Sequence, residues 1–212
     1  MSNGKPGMSI RLTLICHGVT RATRDAAFPL DEPLDALGAA NVSKAAASVR
    51  RVDTAWTSPA LRAMQTATAL NLAATIAVEL RDIDLGRWAG RSMADVAAAE
   101  PDEFAAWVGD AGAAPHGGES VRDLLQRGEA WLNALDRDAG RVVAVTHSSV
   151  IRAAVIAVLG ARPDAFWRID AAPLCRVSLQ GNRGAWTLRS VGALSPETGT
   201  PDDPDAYRRR PE

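Results

Sequence analysis

The sequence predicts an α/β fold, a three-layer α/β/α sandwich with a mostly parallel central sheet and a small helical cap. Short apolar runs alternate with stretches of helical periodicity along most of the chain, the pattern of a layered fold built on parallel strands. One run, Val142 to Thr146, is apolar rather than alternating, as expected of a strand covered on both faces. A length of 212 residues suits one such domain and lets it bury most of the surface its unfolded chain exposes.

The elements follow in order. Residues 1–8 are polar and contain Gly and Pro, so they read as a disordered leader to a domain over 9–194. Ile10–Ile15 is the first strand, followed by a charge-rich loop from Val19 to Pro33. Apolar positions at helical spacing predict a helix over Ala36–Arg50, with Asp35 or Pro33 as its start signal. Thr54–Thr57 is a short strand, Ala60–Ala73 a helix and Ile76–Leu80 another strand. Between about Gly86 and Gly118 the periodicity is helical but broken by Gly and Pro, which predicts short helices inserted as a cap over one end of the sheet. A long amphipathic helix over Glu119–Leu135 precedes the strand Val142–Thr146, and a helix over Val150–Leu159 is stopped by Gly160. Cys175–Leu179 and Trp186–Val191, joined by Gln180 to Ala185, read as a closing hairpin. The Pro-, Asp- and Thr-rich stretch 195–212 has too little apolar surface to offset ordering entropy and reads as a disordered tail.

The totals exclude several functions. Net charge is −1 with no basic block in the body of the chain, so neither nucleic acid nor an anionic membrane is an expected partner. No segment approaches the roughly 18 apolar residues of a membrane span, and the first residues lack the apolar centre of a signal peptide, so a cytoplasmic location is expected. Two cysteines, Cys16 and Cys175, make neither a disulfide framework nor a metal cluster; no metal or other cofactor is implied. Trp107 and Trp131 serve a core or a homodimer interface equally well.

The chemistry gathers at two histidines. His17 and His147 each end a predicted strand and are followed by a small residue, Gly18 or Ser148, and ligands of parallel-sheet folds bind beyond the carboxyl ends of strands. Thr57-Ser58-Pro59-Ala60-Leu61-Arg62-Ala63-Met64-Gln65-Thr66-Ala67 is a strand-to-helix turn that puts Arg62 on the first turn of a helix, a natural anion site. For any one of these residues a satisfied core histidine or a solvated arginine is the plainer alternative; their joint occurrence argues against it.

These stretches resemble the histidine phosphatase superfamily, the phosphoglycerate-mutase-like family. Leu14-Ile15-Cys16-His17-Gly18 resembles its Arg-His-Gly motif with cysteine in the arginine position. Ser58 to Ala67 resembles Ser-Pro-x-x-Arg-x-x-Gln-Thr-Ala with every fixed position kept. Pro33 to Gly38, Leu80 to Gly90, Gly117-Gly118-Glu119-Ser120 and Val145-Thr146-His147-Ser148 resemble four further segments, so the likeness runs from about Ser9 to Val191. The Trp88-Ala89-Gly90 and Gly-Gly-Glu-Ser segments are closest to the broad phosphatase branch that includes α-ribazole phosphatase, and less close to the glycolytic mutases.

The resemblance implies a phosphomonoesterase that hydrolyses a small phosphorylated metabolite without a metal. His17 would take the phosphoryl group on a ring nitrogen, its other nitrogen donating to a carbonyl that fixes the tautomer. Arg62 and His147 would hold phosphoryl oxygens, and Ser148 and Arg21 stand where they could join them. Asp82 sits where the family places its general acid, usually a glutamate; such an acid calls for a raised pKa. Asp84 is the alternative acid. Arg24, His116 and Glu119 are further pocket candidates, as are Arg81, Arg87 and Arg91 at its mouth.

Cys16 is the main departure, with Thr23 in the place of a common asparagine and Ser148 in that of a glycine. Each hydrogen bond lost to a charged phosphoryl group is worth roughly 1.5–3 kcal/mol. Three readings compete: Arg21 or Arg24 replaces the missing guanidinium, the enzyme is slow, or the protein binds a phosphorylated ligand without turning it over. Cys16 as a nucleophile is disfavoured, because the tyrosine-phosphatase loop needs an arginine after five intervening residues and Ala22 occupies that place.

Overall fold

The computed structural model describes residues 9–136, 138–182 and 185–194. The expected leader (1–8) and tail (195–212) lie outside the described residues.

Among the described residues six strands form one sheet in the order β3-β2-β4-β1-β5-β6. They are β1 (Ile10–Cys16), β2 (Thr54–Thr57), β3 (Thr75–Ile76), β4 (Arg141–Thr146), β5 (Cys175–Asn182) and β6 (Ala185–Ala193). β1 to β4 are mutually parallel, and β5 runs antiparallel to both β1 and β6. Among the described residues seven α-helices accompany them: α1 (Arg21–Arg24), α2 (Ala36–Ala45), α3 (Leu61–Ala69), α4 (Met93–Ala99), α5 (Pro101–Gly109), α6 (Val121–Ala134) and α7 (Ser148–Leu159).

The layers follow from strand alternation. Leu12 and Leu14 of β1 and Val142 and Ala144 of β4 face one side, packing with Leu124 and Leu132 of α6 and Val150, Ile151 and Val155 of α7. Ile15, Val143 and Val145 face the other and pack on Val42 and Ala45 of α2 and Ala63 and Ala67 of α3. The sandwich is therefore α6/α7, sheet, α2/α3. A third cluster is aromatic: Phe28, Leu85, Trp88, Val96 and Trp107, with Trp88 against Trp107 edge-on at 5.6 Å. It gathers α4, α5 and the 3₁₀ turn Gly86–Trp88, which fill the segment expected to form the cap. Trp107 and Trp131 are both buried within the single chain, so neither carries the homodimer alternative.

Differences from the expected elements have local causes. The strand expected over Ile76–Leu80 pairs only at Thr75–Ile76, then winds into a 3₁₀ turn (Val78–Leu80) that turns Leu80 into the core while Ile76 and Val78 stay exposed at the sheet edge. The helix expected over Ala36–Arg50 starts on Asp35, whose carboxylate accepts from Gly38 N at 2.6 Å, but yields to 3₁₀ geometry at Ala46–Ser48. There the Ser48 hydroxyl donates to the Ala45 carbonyl (2.6 Å) and competes with the helix's own bonds. α3 stops before Asn71, which holds a left-handed φ of 58° that asparagine tolerates. α6 starts two residues later than expected because Ser120 caps it in a capping box with Asp123; α7 starts two residues earlier, with His147 at the N-cap position and no side-chain cap bond. Gly160 ends α7 at φ 59°, as its position predicts. The long loop carries the unforeseen α1, closed by a Thr20–Thr23 capping box. The hairpin strands run on to Asn182 and resume at Ala185, closer than the expected connection of six residues.

Candidate active site

Three neighbouring strands deliver the central side chains. Cys16 of β1 pairs in register with Thr146 of β4, and His17 N donates to the Thr146 carbonyl (2.9 Å), so His17 and His147 leave the sheet at one level. β2 flanks β4 on its other side and releases Ser58, whose N–H donates to the Val145 carbonyl (2.9 Å). The His17 and His147 rings meet edge-on with centroids 5.1 Å apart. That separation is close to the spacing of adjacent strands, about 4.8 Å.

α3 brings the cation. Its first amide, Leu61 N, is capped from afar by Asp31 Oδ1 (2.8 Å), and Arg62 follows on the first turn. The Arg62 side chain is 4% exposed and its donors are divided among three groups. Nε donates to His17 Nε2 (3.3 Å), Nη1 to the Leu30 carbonyl (3.0 Å) and Nη2 to Asp82 Oδ2 (2.9 Å). Thr66, one turn along, donates to the Arg62 carbonyl (2.7 Å) and accepts from Gly18 N (3.0 Å), tying α3 to the turn after β1.

His17 Nδ1 lies 2.7 Å from the Gly18 carbonyl. A carbonyl only accepts, so Nδ1 carries the proton and Nε2 keeps its lone pair. Burial pushes the His17 pKa down, and the Arg62 charge adds to this against the Gly18 bond and Asp82. The imidazole is neutral at pH 7, the state a nitrogen nucleophile needs.

Asp82 follows the 3₁₀ turn Val78–Leu80. Its Oδ1 accepts from Ile83 N (2.9 Å) and from the Ser149 hydroxyl (2.5 Å), while Oδ2 faces Arg62 and lies 3.3 Å from His147 Nδ1. Burial alone would push this carboxyl up. His147, Arg62 and the Ser149 hydrogen bond overturn that and hold it below the usual carboxylate range. An acid ready to donate would show the opposite shift, so Asp82 rests as a carboxylate in the anion site between Arg62 and His147. Burial pushes His147 down to about 3 despite Asp82, and its Nε2 meets the Ser58 hydroxyl at 2.7 Å.

The structure thus brings His17, Arg62, Asp82 and His147 together. It places the other candidates elsewhere. The Arg21 side chain is 88% exposed and paired with Asp25, and Arg24 pairs with Asp35 beside α2, so neither reaches Cys16. Asp84 is exposed, its carboxylate accepting from Gly86 N (2.9 Å) in a turn. His116 is buried against Trp88, ring centroids 5.0 Å apart, with Nδ1 accepting from Gly118 N (3.0 Å). Glu119 is bound to Arg127 and Arg81. Arg87 and Arg91 converge on Glu100. Ser148 lies at the start of α7, but it is the next residue, Ser149, whose hydroxyl touches Asp82. Cys16 is buried among apolar side chains, and burial pushes its thiol far up, with Asp82 and Cys175 adding to the shift. It is not a thiolate. A cavity of about 420 Å³ lined by Val49, Asp53, Leu70 and Asn71 opens at the opposite end of β2, remote from these groups.

Ser58, Thr66, Arg127 and Ser149 hold this constellation and were not singled out from the sequence. Ser58 and Thr66 stand at fixed positions of the motif that carries Arg62, and Ser149 stands two residues after His147, so position alone could have marked those three.

Residues 12–193 match the family model described as histidine phosphatase superfamily (branch 1). A glucosyl-3-phosphoglycerate phosphatase of Mycolicibacterium vanbaalenii is 33% identical over 171 residues, covering 73% of this chain and 76% of its own. Among solved structures, the mycobacterial glucosyl-3-phosphoglycerate phosphatase Rv2419c superposes with a TM-score of 0.75 at 27% identity, covering 87% of this chain and 99% of that one. The α-ribazole phosphatase of Shigella flexneri shares the fold, with a TM-score of 0.78 at 24% identity over 87% and 97% of the two chains.

Proposed function

Because the chain belongs to branch 1 of the histidine phosphatase superfamily, we propose that it hydrolyses small phosphomonoesters through a phosphohistidine on His17, slowed by the cysteine at position 16. The observation that carries this is the locked tautomer of His17, its Nδ1 proton on the Gly18 carbonyl and its Nε2 lone pair facing the Arg62 guanidinium. Relatives that act on phosphorylated small molecules support the substrate class.

In this reading a phosphoryl dianion enters between Arg62 and His147 and displaces the Asp82 carboxylate from them. Losing those partners and gaining an anionic neighbour both raise the Asp82 pKa, so the carboxyl takes up a proton as substrate binds. The His17 Nε2 lone pair attacks phosphorus as the ester P–O bond breaks, and Asp82 protonates the departing oxygen. Water then attacks the phosphohistidine, Asp82 accepts its proton, the P–N bond breaks and inorganic phosphate leaves. Arg62 and His147 stabilise the charge spread over the phosphoryl oxygens in both steps.

Two observations favour a slow enzyme. Arg21 and Arg24 are paired elsewhere, and Cys16 offers the phosphoryl group no cation.

Phosphate release from a panel of phosphomonoesters tests the reading, with wild type, His17→Ala and Cys16→Arg side by side. Turnover is expected in the wild type, at least a 10³-fold loss in His17→Ala, and a gain of roughly 10- to 100-fold in Cys16→Arg, the worth of one charged hydrogen bond. Turnover unchanged in His17→Ala sinks the reading. Phosphate binding without turnover in the wild type, rescued in Cys16→Arg, favours a ligand-binding protein on the same scaffold.

A further inference from the structure

We propose that Arg127, locked by Glu119, is a positioning residue that sets Asp82 against the leaving-group oxygen; the proposal rests on the reading of Asp82 as the general acid. The two side chains are among the most buried ion pairs described, 11% and 9% exposed. Arg127 Nε and Nη2 donate to the two Glu119 oxygens at 2.9 and 2.7 Å, the forked geometry that fixes a guanidinium plane. Its remaining donors leave α6 altogether. Nη1 donates to the carbonyls of Glu79 (2.5 Å) and Arg81 (3.0 Å), and Nη2 reaches the Asp82 carbonyl at 3.4 Å.

These carbonyls belong to the stretch that leaves the sheet after Ile76, where ladder bonds no longer fix the backbone. Unpaired polar groups there would have to find other partners. One guanidinium serves three of them and so dictates the path of the chain through Asp82. Glu119 is itself anchored, its N–H donating to the Asp84 carbonyl at 2.7 Å. The stretch 79–84 is thus held from the first turns of α6.

The arrangement matters because the restraints on Asp82 Oδ2 do not survive substrate binding. Arg62 and His147, which face Oδ2 at rest, turn to the phosphoryl oxygens in the proposed reaction. What then aims Oδ2 is the backbone, together with Ile83 N and the Ser149 hydroxyl, which still hold Oδ1. The aspartate arm is a single methylene long and has little slack to absorb a displaced main chain. A misplacement of about 1 Å can cost on the order of 10² in rate.

Leaving-group chemistry isolates the effect. p-Nitrophenolate departs as a stable anion and needs little protonation, whereas the alkoxide of glycerol phosphate or phosphoserine does not leave without an acid. Asp82→Asn, Arg127→Met, Arg127→Lys and Glu119→Gln are compared with the wild type on both kinds of ester, with circular dichroism and melting curves to verify folding. In single-turnover phosphorylation, the step that precedes attack by water, Asp82→Asn and Arg127→Met are expected to lose on the order of 10² in rate on alkyl phosphates and under 10-fold on p-nitrophenyl phosphate. Arg127→Lys and Glu119→Gln, which disturb the clamp less, should show the same selectivity at smaller size and stand in if Arg127→Met does not fold. Equal losses on both esters in the Arg127 and Glu119 variants, beside a selective loss in Asp82→Asn, overturn the proposal and leave the acid assignment standing. No selectivity in Asp82→Asn removes the acid assignment and the proposal together.

Discussion

Arg62 engages the His17 lone pair with one nitrogen and the carboxylate of Asp82 with another, so the charges of the site are already matched within the protein. Its neutral histidines are costly in acid. His147 has a folded-state pKa of about 3 against 6.5 for an ordinary histidine, so between those values the unfolded chain binds more protons. Stability is complete above pH 6.5 and falls as the pH drops towards 3, by up to about 1.4 kcal/mol per unit. Urea unfolding of the wild type and His147→Asn at pH 7, 5.5 and 4.5 should show a shallower decline in the variant. The decline should not vanish, because burial shifts His17 and His116 in the same direction. At this scale the sequence was most informative where a side chain ends a strand or opens a helix, as with His17, His147 and Arg62. Arg127 was harder to see because it lies within a helix, where only packing decides which polar residues turn inward.

Between elements, the segment after Asp82 meets the start of α6 backbone to backbone. Glu119 N donates to the Asp84 carbonyl (2.7 Å) and Arg87 N to the His116 carbonyl (3.0 Å), which leaves no room for side chains between the strands of this joint. A Cβ on Gly118 would lie 2.2 Å from the Asp84 oxygen. Gly118→Ala should therefore destabilise the protein by about 1–3 kcal/mol or more, lowering the melting temperature by several degrees at this chain size. It should also depress turnover of alkyl phosphates, since the displaced carbonyl belongs to the segment that carries Asp82. Calorimetry and the leaving-group assay read the two effects. The Gly117-Gly118-Glu119-Ser120 stretch was visible as a motif, but its purpose as a joint was not, because backbone contacts between distant segments leave no periodic trace. The same holds for Val78–Leu80: its apolar composition suits a strand, and only the end of the sheet at Ile76 turns it into 3₁₀ geometry.

Across the molecule, alternation of apolar strands and amphipathic helices was enough to anticipate the sandwich, because two-sided burial of β4 is written in its composition. The order of strands in the sheet was not, since it depends on which loops cross. That order has an effect on dynamics. His17 and His147 follow the two central strands, whose amides should open only on global unfolding, whereas the stretch after Ile76 relies on side-chain donors and the α6 joint. Hydrogen exchange should find the amides of Cys16, His17 and Thr146 in the slowest class and those of Arg81 to Asp84 in a faster one; a single rate for both would contradict this division. The molecule then has two working parts with different thermal lifetimes. If the proposed reaction holds, gradual warming loosens the Asp82 segment while the sheet still presents its imidazole, so a sample continues to be phosphorylated by esters with good leaving groups after it has lost the ability to expel an alkoxide. A narrowing of the range of esters that phosphorylate the protein, ahead of bulk unfolding, would be its heat signature.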